Sequence, residues 1–168
     1  MLMVELVVPL TVRDLTAEDL PSCDWSGGRT HLASIARALQ RADRGEVDYL
    51  AVCPPSGLPV ALCGVDYAQN PGAGTLWHLV VNGALQSLGI GTILIRAAEQ
   101  RIRARGLHWA ELRVEENNPR ARALYERLGY VAKGSSPDAW DEDAPDGSVR
   151  RYETVTTLMR KELPGPRD

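Results

Sequence analysis

Apolar positions recur along this chain at two different periods. Between Thr30 and Arg44, the residues Leu32, Ile35, Ala36 and Leu39 fall at helical intervals, and Gly45 closes the run. The same stripe returns in Thr92–Arg105 through Ile95, Ala98 and Ile102, stopping at Gly106. It returns again in Pro119–Leu128 through Ala121, Leu124, Tyr125 and Leu128, stopping at Gly129. Elsewhere the apolar runs are short and strand-like. Glu5–Arg13 predicts a first strand, with Pro9 at an edge or a bend. Thr16, followed by acidic residues, predicts the start of a short helix. Val47–Cys53 and Pro59–Tyr67 predict a hairpin about the turn Pro54-Pro55-Ser56-Gly57. Thr75–Val81 is a third strand, after the turn Asn70–Gly74, and Trp109–Glu115 a fourth alternating run. Tyr130–Lys133 and Tyr152–Arg160 predict the last strands, with the polar stretch Ser135–Arg150 as their connection.

The order is therefore strand, two helices, an antiparallel meander, then helix, strand, helix and two strands. It shows neither an internal repeat nor an interdomain linker, so one domain over residues 1–163 is expected, with 164–168 as a frayed tail. A length of 168 residues suits one domain with a sizeable core. The net charge of −3 provides no basic field for phosphate contacts, which argues against a nucleic-acid partner. Phenylalanine is absent, so Leu, Val, Ala and four Trp must fill the interior. The three cysteines lack metal spacing; Cys53 and Cys63 sit in apolar runs and read as packed thiols, and no metal is expected. The N-terminus lacks the basic region and unbroken apolar core of a signal peptide, and no run approaches the length of a membrane span. A cytoplasmic protein is the expectation.

Two motifs carry candidate chemistry. The first is Gln86-Ser87-Leu88-Gly89-Ile90-Gly91-Thr92, set between a strand and a helix. A helix N-terminus offers unpaired N–H groups and the positive end of a dipole to an anion. Gly89 and Gly91 remove the Cβ atoms that would hold phosphates away. Alone, such a link can equally be a plain turn. It has neither the spacing of a dinucleotide fingerprint nor the Lys-Ser/Thr of a Walker loop.

The second motif runs from Asn118 to Tyr130. Asn118 is an N-cap residue, Pro119 suits the first helical position, and Gly129 is a natural stop. Tyr125 lies on the apolar face and can be read simply as a core aromatic. Its phenol permits a second reading. A thiol titrates near 8.5 and a phenol near 10, so a tyrosine can give a proton to a thiolate leaving a thioester.

Together the motifs and the order of elements resemble the GNAT N-acetyltransferase superfamily. The resemblance covers roughly Glu5 to Arg160, and its specific part is residues 79–130. It implies an α+β fold: a mixed, mostly antiparallel sheet of about six to seven strands, flanked by about four helices and splayed at the cofactor cleft. It implies acetyl-coenzyme A as the acyl donor. The backbone at Leu79 and Val81 would meet the pantetheine arm, and Gln86, Ser87, Leu88, Gly89, Ile90, Gly91 and Thr92 the pyrophosphate. Asn118 would contact the cofactor, and Tyr125 would be the general acid. The activity implied is acetyl transfer to a primary amine of a small molecule or peptide, by direct attack. The alternative is a non-catalytic acyl-coenzyme A-binding or sensing module. A homodimer is the oligomer that this class allows.

Some positions depart from the family pattern. Gly83 stands where Pro is frequent, and Gln86-Ser87 where Arg-Gly is. Thr75 and Trp77 occupy the places where members carry a basic Glu or His. His78 is adjacent, but strand alternation sets it on the opposite face from Trp77 and Leu79. Asp138–Asp146 holds five carboxylates around Trp140. As an acidic loop it is either simply solvated, or it attracts a cationic amine through Trp140, Asp141, Glu142 and Asp143. The arginines at 96, 101, 103, 105, 120 and 122 either meet the cofactor's phosphates or solvate helix surfaces, and the surface is expected for most of them.

Overall fold

Both faces of one sheet meet the helical stripes predicted above. The computed structural model describes residues 1–165. Its strands are β1 (Thr11–Asp14), β2 (Val47–Cys53), β3 (Ala61–Asp66), β4 (Gly74–Val81), β5 (Trp109–Glu115), β6 (Val131–Asp143) and β7 (Val149–Glu162). The helices are α1 (Arg29–Asp43), α2 (Ile90–Ala104) and α3 (Pro119–Arg127), with 3-10 segments at Ala17–Ser26 and Gly83–Leu85. The seven strands lie in the order β1-β2-β3-β4-β5-β7-β6. All neighbours are antiparallel except β4 and β5. That parallel pair needs a crossover, and α2 supplies it.

Helix α2 buries Leu94, Ile95, Ala98 and Ile102 against Val65, Leu76, Leu112 and Met159. Helix α1 buries Ile35, Ala38 and Leu39 on the other face, against Tyr49, Cys53 and Leu62. The strands β2 and β3, covered on both sides, are almost wholly buried, as their mostly apolar composition requires. All three cysteines are free and buried. Among the described residues no helix is long and apolar enough to cross a membrane.

Two predicted elements are corrected. The first strand spans Thr11–Asp14, not Glu5–Arg13. Thr11 pairs with Cys53, the last residue of β2, so the chain before it has no strand to bond. Pro9 removes a donor as well. The polar stretch after Tyr130 is not a loop: β6 and β7 form a long hairpin closed by a turn at 144–148. Opposite charges face each other across it, Asp141 against Arg151 and Glu142 against Arg150. Gly147, at φ 85°, takes the left-handed place in the turn. Of the predicted tail, Pro164 and Gly165 have no regular structure, and 166–168 lie outside the described residues.

Two irregularities shape the centre of the sheet. Pairing between β4 and β5 stops at Leu76↔Leu112, although both strands continue. Between β3 and β4 the register shifts: Gly64 pairs with Trp77 and Leu62 with Val80, so one residue of β3 opposes two of β4. This is a β-bulge at His78 and Leu79. His78 holds φ 55°, a rare conformation for a non-glycine residue. Beside the bulge the Trp77 ring lies flat on Gly64, where a Cβ would run into it. Gly64→Ala should therefore destabilise the fold by about 1–3 kcal/mol through overpacking. Urea unfolding followed by tryptophan fluorescence would measure this, and unchanged stability would mean that the Trp77 ring can move aside freely.

Candidate active site

The loop before α2 is built for an anion. Gly89 is the N-cap of α2 at φ 84°, and no side chain caps the helix. The first helical hydrogen bond is donated by Ile93 to the Gly89 carbonyl, at 3.2 Å. The amides of Ile90, Gly91 and Thr92 therefore have no partner within the helix. Among the described residues, and apart from its chain neighbours, nothing lies within 4 Å of where a Cβ on Gly89 would sit, and the nearest side-chain atom to one on Gly91 is 3.8 Å away. The space over these amides is thus open. Gln86, Ser87, Leu88 and Gly89 are exposed, whereas the Ile90 side chain is buried in the core, leaving only its backbone to the loop. Ser87 is itself left-handed, at φ 65°, and its hydroxyl accepts a hydrogen bond from Arg120 at the start of α3. Arg120 is exposed, as expected of a helix surface, and from there it brings a cation to the loop. Helix α3 differs at its own start: the Asn118 side chain accepts from the Ala121 amide at 3.1 Å. That amide is satisfied by the chain itself.

Where β4 and β5 part, a cleft of about 1090 Å³ opens between them. Beyond Leu76, β4 has a strand neighbour on the β3 side alone. Its backbone groups on the other side are free to bond an extended ligand. Leu79 lines this cleft and so does Asn118. Val81 does not; its carbonyl accepts from Gln86 Nε2 at 3.3 Å, tying the strand end to the loop. Thr75 and Thr156 also line the cleft, and among the described residues their buried hydroxyls have no hydrogen-bond partner. Such orphaned groups suit a site that a polar ligand completes.

Tyr125 stands on the cleft wall, 8% exposed. Its ring meets that of Tyr130 edge-on, 6.3 Å between centroids. Tyr130 is held in turn by its hydroxyl on Glu99 at 3.1 Å, and Lys161 neutralises that buried carboxylate from 2.9 Å. Among the described residues no protein group bonds the Tyr125 hydroxyl, and burial pushes its pKa up to about 12. At neutral pH it keeps its proton and has no protein acceptor for it.

The bulge overturns the expectation that His78 faces away. Trp77 and His78, consecutive in sequence, both pack against Tyr49 on the α1 side of the sheet. Both line the cleft. His78 Nδ1 is 3.1 Å from the Tyr49 hydroxyl. Burial, together with the neighbouring His31, lowers the His78 pKa to about 4, so its ring is neutral. His31 meets the His78 ring in a T-shape at 5.0 Å. The sequence reading missed His31 because it falls within an amphipathic helix; its only signal is a histidine just after Ser26-Gly27-Gly28.

The acidic segment borders the cleft, but as strand β6 and with its charges engaged. Asp141 is 3.2 Å from Arg151 and Glu142 2.6 Å from Arg150. Asp143 accepts from the amide and the hydroxyl of Thr30, at 2.9 and 2.7 Å, which holds its pKa below the usual carboxylate range. It thereby caps α1, whose own N-cap, Gly28, has no side chain to do so. Trp140, 38% exposed, stacks at a tilt on Tyr152 with centroids 5.0 Å apart.

A model of the Acetyltransferase (GNAT) family matches residues 14–130. The chain belongs to the GNAT acetyltransferase family. The match contains the loop, the splayed strands and Tyr125, and it stops before the β6–β7 hairpin. Mycothiol acetyltransferase from Paenarthrobacter aurescens is 32% identical over 82 residues, 49% of this chain and 23% of that protein. The chain thus spans less than a quarter of that relative's length. Among solved structures, the ribosomal-protein-S18-alanine N-acetyltransferase of Escherichia coli superposes with a TM-score of 0.72 at 19% identity, covering 95% of this chain and 97% of the other. PaiA N-acetyltransferase of Thermoplasma acidophilum, in complex with coenzyme A, superposes with a TM-score of 0.67 at 14% identity, covering 92% and 99%. At these identities the structural likeness is one of fold. The seven-stranded mixed sheet, open between β4 and β5, is a GNAT fold.

Crowding the loop tests its role. Gly89→Glu would add a charge and a side chain over the uncapped amides, and would strain φ. Coenzyme A affinity should fall at least about tenfold, or roughly 1.4 kcal/mol. Calorimetry on the folded variant checks this; unchanged affinity would return the loop to a plain turn.

Proposed function

We propose that the protein is an acetyl-coenzyme A-dependent N-acetyltransferase acting on a primary amine of a small molecule or a peptide. The observation that carries this reading is the Tyr125 hydroxyl, protonated, free of protein partners and set in the wall of the splayed cleft. Membership of the family supports the donor. So does the fit of the chain to it: the uncapped start of α2 suits a pyrophosphate, and the free edge of β4 at Leu79 suits an extended pantetheine arm. Arg120 adds positive charge beside Ser87. The loop from Gln86 to Thr92 would hold the phosphates through its backbone.

In the reaction the amine nitrogen attacks the acetyl carbonyl carbon directly. The C–S bond breaks, its electron pair leaves on sulfur, and Tyr125 gives sulfur the phenolic proton. Burial favours this role twice. It keeps the phenol protonated up to a high pH, and it anchors the ring in the core cluster that Ala121, Leu124 and Leu128 pack against. Trp140, which lines the cleft and packs on Tyr152, would wall the amine side. The carboxylates of Asp141, Glu142 and Asp143 are offset by partners within the chain, so the ring face of Trp140 is the better candidate contact for a cationic amine. The alternative of a non-catalytic binding module gains nothing from this cleft, which two histidines with lowered pKa line together with the tyrosine.

Tyr125→Phe keeps the ring and its packing and removes the proton. Turnover should fall by about 10² to 10⁴, the usual cost of losing a general acid, with acetyl-coenzyme A affinity nearly intact. Thiol release against a panel of amines would measure turnover, and calorimetry the affinity. Equal turnover in wild type and variant would leave Tyr125 as a packing residue. Because the phenol stays protonated to about 12, no alkaline loss of kcat through Tyr125 is expected below pH 10.

A further inference from the structure

Two hydrogen bonds at the Ser26 hydroxyl determine where a proton sits on His31. The Ser26 hydroxyl donates to the Cys23 carbonyl at 2.6 Å, at the end of the 3-10 segment. The same oxygen lies 3.1 Å from His31 Nε2. A hydroxyl has one proton, and this one is already given to Cys23. Toward His31 it can only accept. The neutral His31 ring therefore carries its hydrogen on Nε2 and presents a bare lone pair at Nδ1.

The ring's orientation is set as well. A Cβ on Gly27 would come within 2.8 Å of His31 Cγ and Cδ2, so the Cδ2–Nε2 edge lies against the chain at Ser26–Gly27. The Nδ1 edge is the opposite one. Among the described residues no protein group hydrogen-bonds it, and His31 lines the cleft shared by His78 and Tyr125. We infer that His31, a residue of helix α1 rather than of the strands around the cofactor, is the general base: its Nδ1 takes the proton from the acceptor amine. Ser26 is the positioning residue that fixes the tautomer. The inference rests on the acetyltransferase reading above and adds a named proton acceptor to it.

The step balances. The amine lone pair forms the C–N bond, and the C–S pair leaves on sulfur. The surplus proton on nitrogen goes to His31 Nδ1, while sulfur takes the Tyr125 proton. Cleft water returns the proton from the imidazolium to the phenolate. The net change is amine plus thioester to amide plus thiol. An amine that enters as an ammonium sheds one further proton to bulk water.

His78 is less suited to this task. Its Nδ1 is engaged with Tyr49, and its lowered proton affinity is far from a neutral operating pH. The His78 ring on β4 meets His31 directly, and Arg37 on α1 itself and Asp138, Asp141, Glu142 and Asp143 on β6 line the same cleft. Burial lowers the His31 pKa below the ordinary 6.5, so the basic form prevails at neutral pH. The acid limb follows from this sign: kcat should fall as pH drops through the His31 pKa. We specify kcat because it reports the bound state, whereas kcat/KM also contains the ionisation of the free amine.

His31→Gln can keep a bond to Ser26 while lacking a base. It should lower kcat by about 10² or more, abolish the acid limb, and leave acetyl-coenzyme A binding unchanged. Ser26→Ala should release a mixture of tautomers, seen by ring-nitrogen NMR of His31, with a several-fold fall in kcat that Ser26→Thr restores. His78→Gln should retain the acid limb. A folded His31→Gln variant with wild-type kcat and pH profile would overturn the inference. So would an Nδ1–H tautomer in the wild-type NMR spectrum, which needs neither turnover nor a variant. Transfer of the acid-limb loss to His78→Gln would do the same. If wild type releases no thiol with any amine, the acetyltransferase reading fails and this one with it; failure of His31 alone leaves turnover intact.

Discussion

The ending of one hydrogen-bond ladder sets most of what this protein can do. Strands β4 and β5 are parallel neighbours as far as Leu76 and Leu112, and then they part. A sheet that simply continued would satisfy its own backbone and leave no room between the strands. By parting, the strands expose backbone donors and acceptors along β4 and open the cleft on whose wall Tyr125 stands. The cost of unpaired backbone groups is tolerable because an extended ligand can take the place of the missing strand. The remaining strand pairs hold the opening from outside: β3 stays on β4, and the long β7 stays on β5.

The cleft walls combine burial with neutrality. Tyr125 keeps its proton and His31 and His78 go without one, in each case because burial disfavours the charged form. A proton donor and proton acceptors that are all uncharged at rest avoid mutual repulsion in a low-dielectric space. Several carboxylates nearby are balanced by cations: Glu99 by Lys161, Asp141 by Arg151, Glu142 by Arg150. Asp143 instead closes the N-terminus of α1 and so fixes the helix that carries His31. The acidic segment thus acts on the site through the position of α1.

Much of the fold is legible in the chain. The stripes through Ile35, Ile95 and Leu124 predict three helices with ends displaced by one or two residues, and Trp109–Glu115 is a strand with the predicted ends. Gly89 and Asn118 mark the starts of α2 and α3 because cap residues act locally. The misses share one cause, which is pairing between distant segments. Val4–Leu10 has strand composition but no partner, since β2 ends opposite Thr11. Ser135–Arg150 has loop composition but forms strands, because Trp140 finds Tyr152 and Asp141 finds Arg151. Alternation put His78 on the wrong face because one bulge, created by the register between β3 and β4, inserts a residue that no local pattern announces.

The sequence by itself determined the period of each element, the glycine loop before a helix and a tyrosine on the next helix's apolar face. These depend on residues a few positions apart, whose geometry the backbone dictates. The tertiary structure alone decided that β4 and β5 part, that Trp77 and His78 share a face, and that Arg120 reaches Ser87. It also decided that Ser26, already donating to Cys23, can only accept from His31. Each of these depends on which atom meets which across the fold, and a hydroxyl with a single proton to give has no sequence pattern that says where it goes.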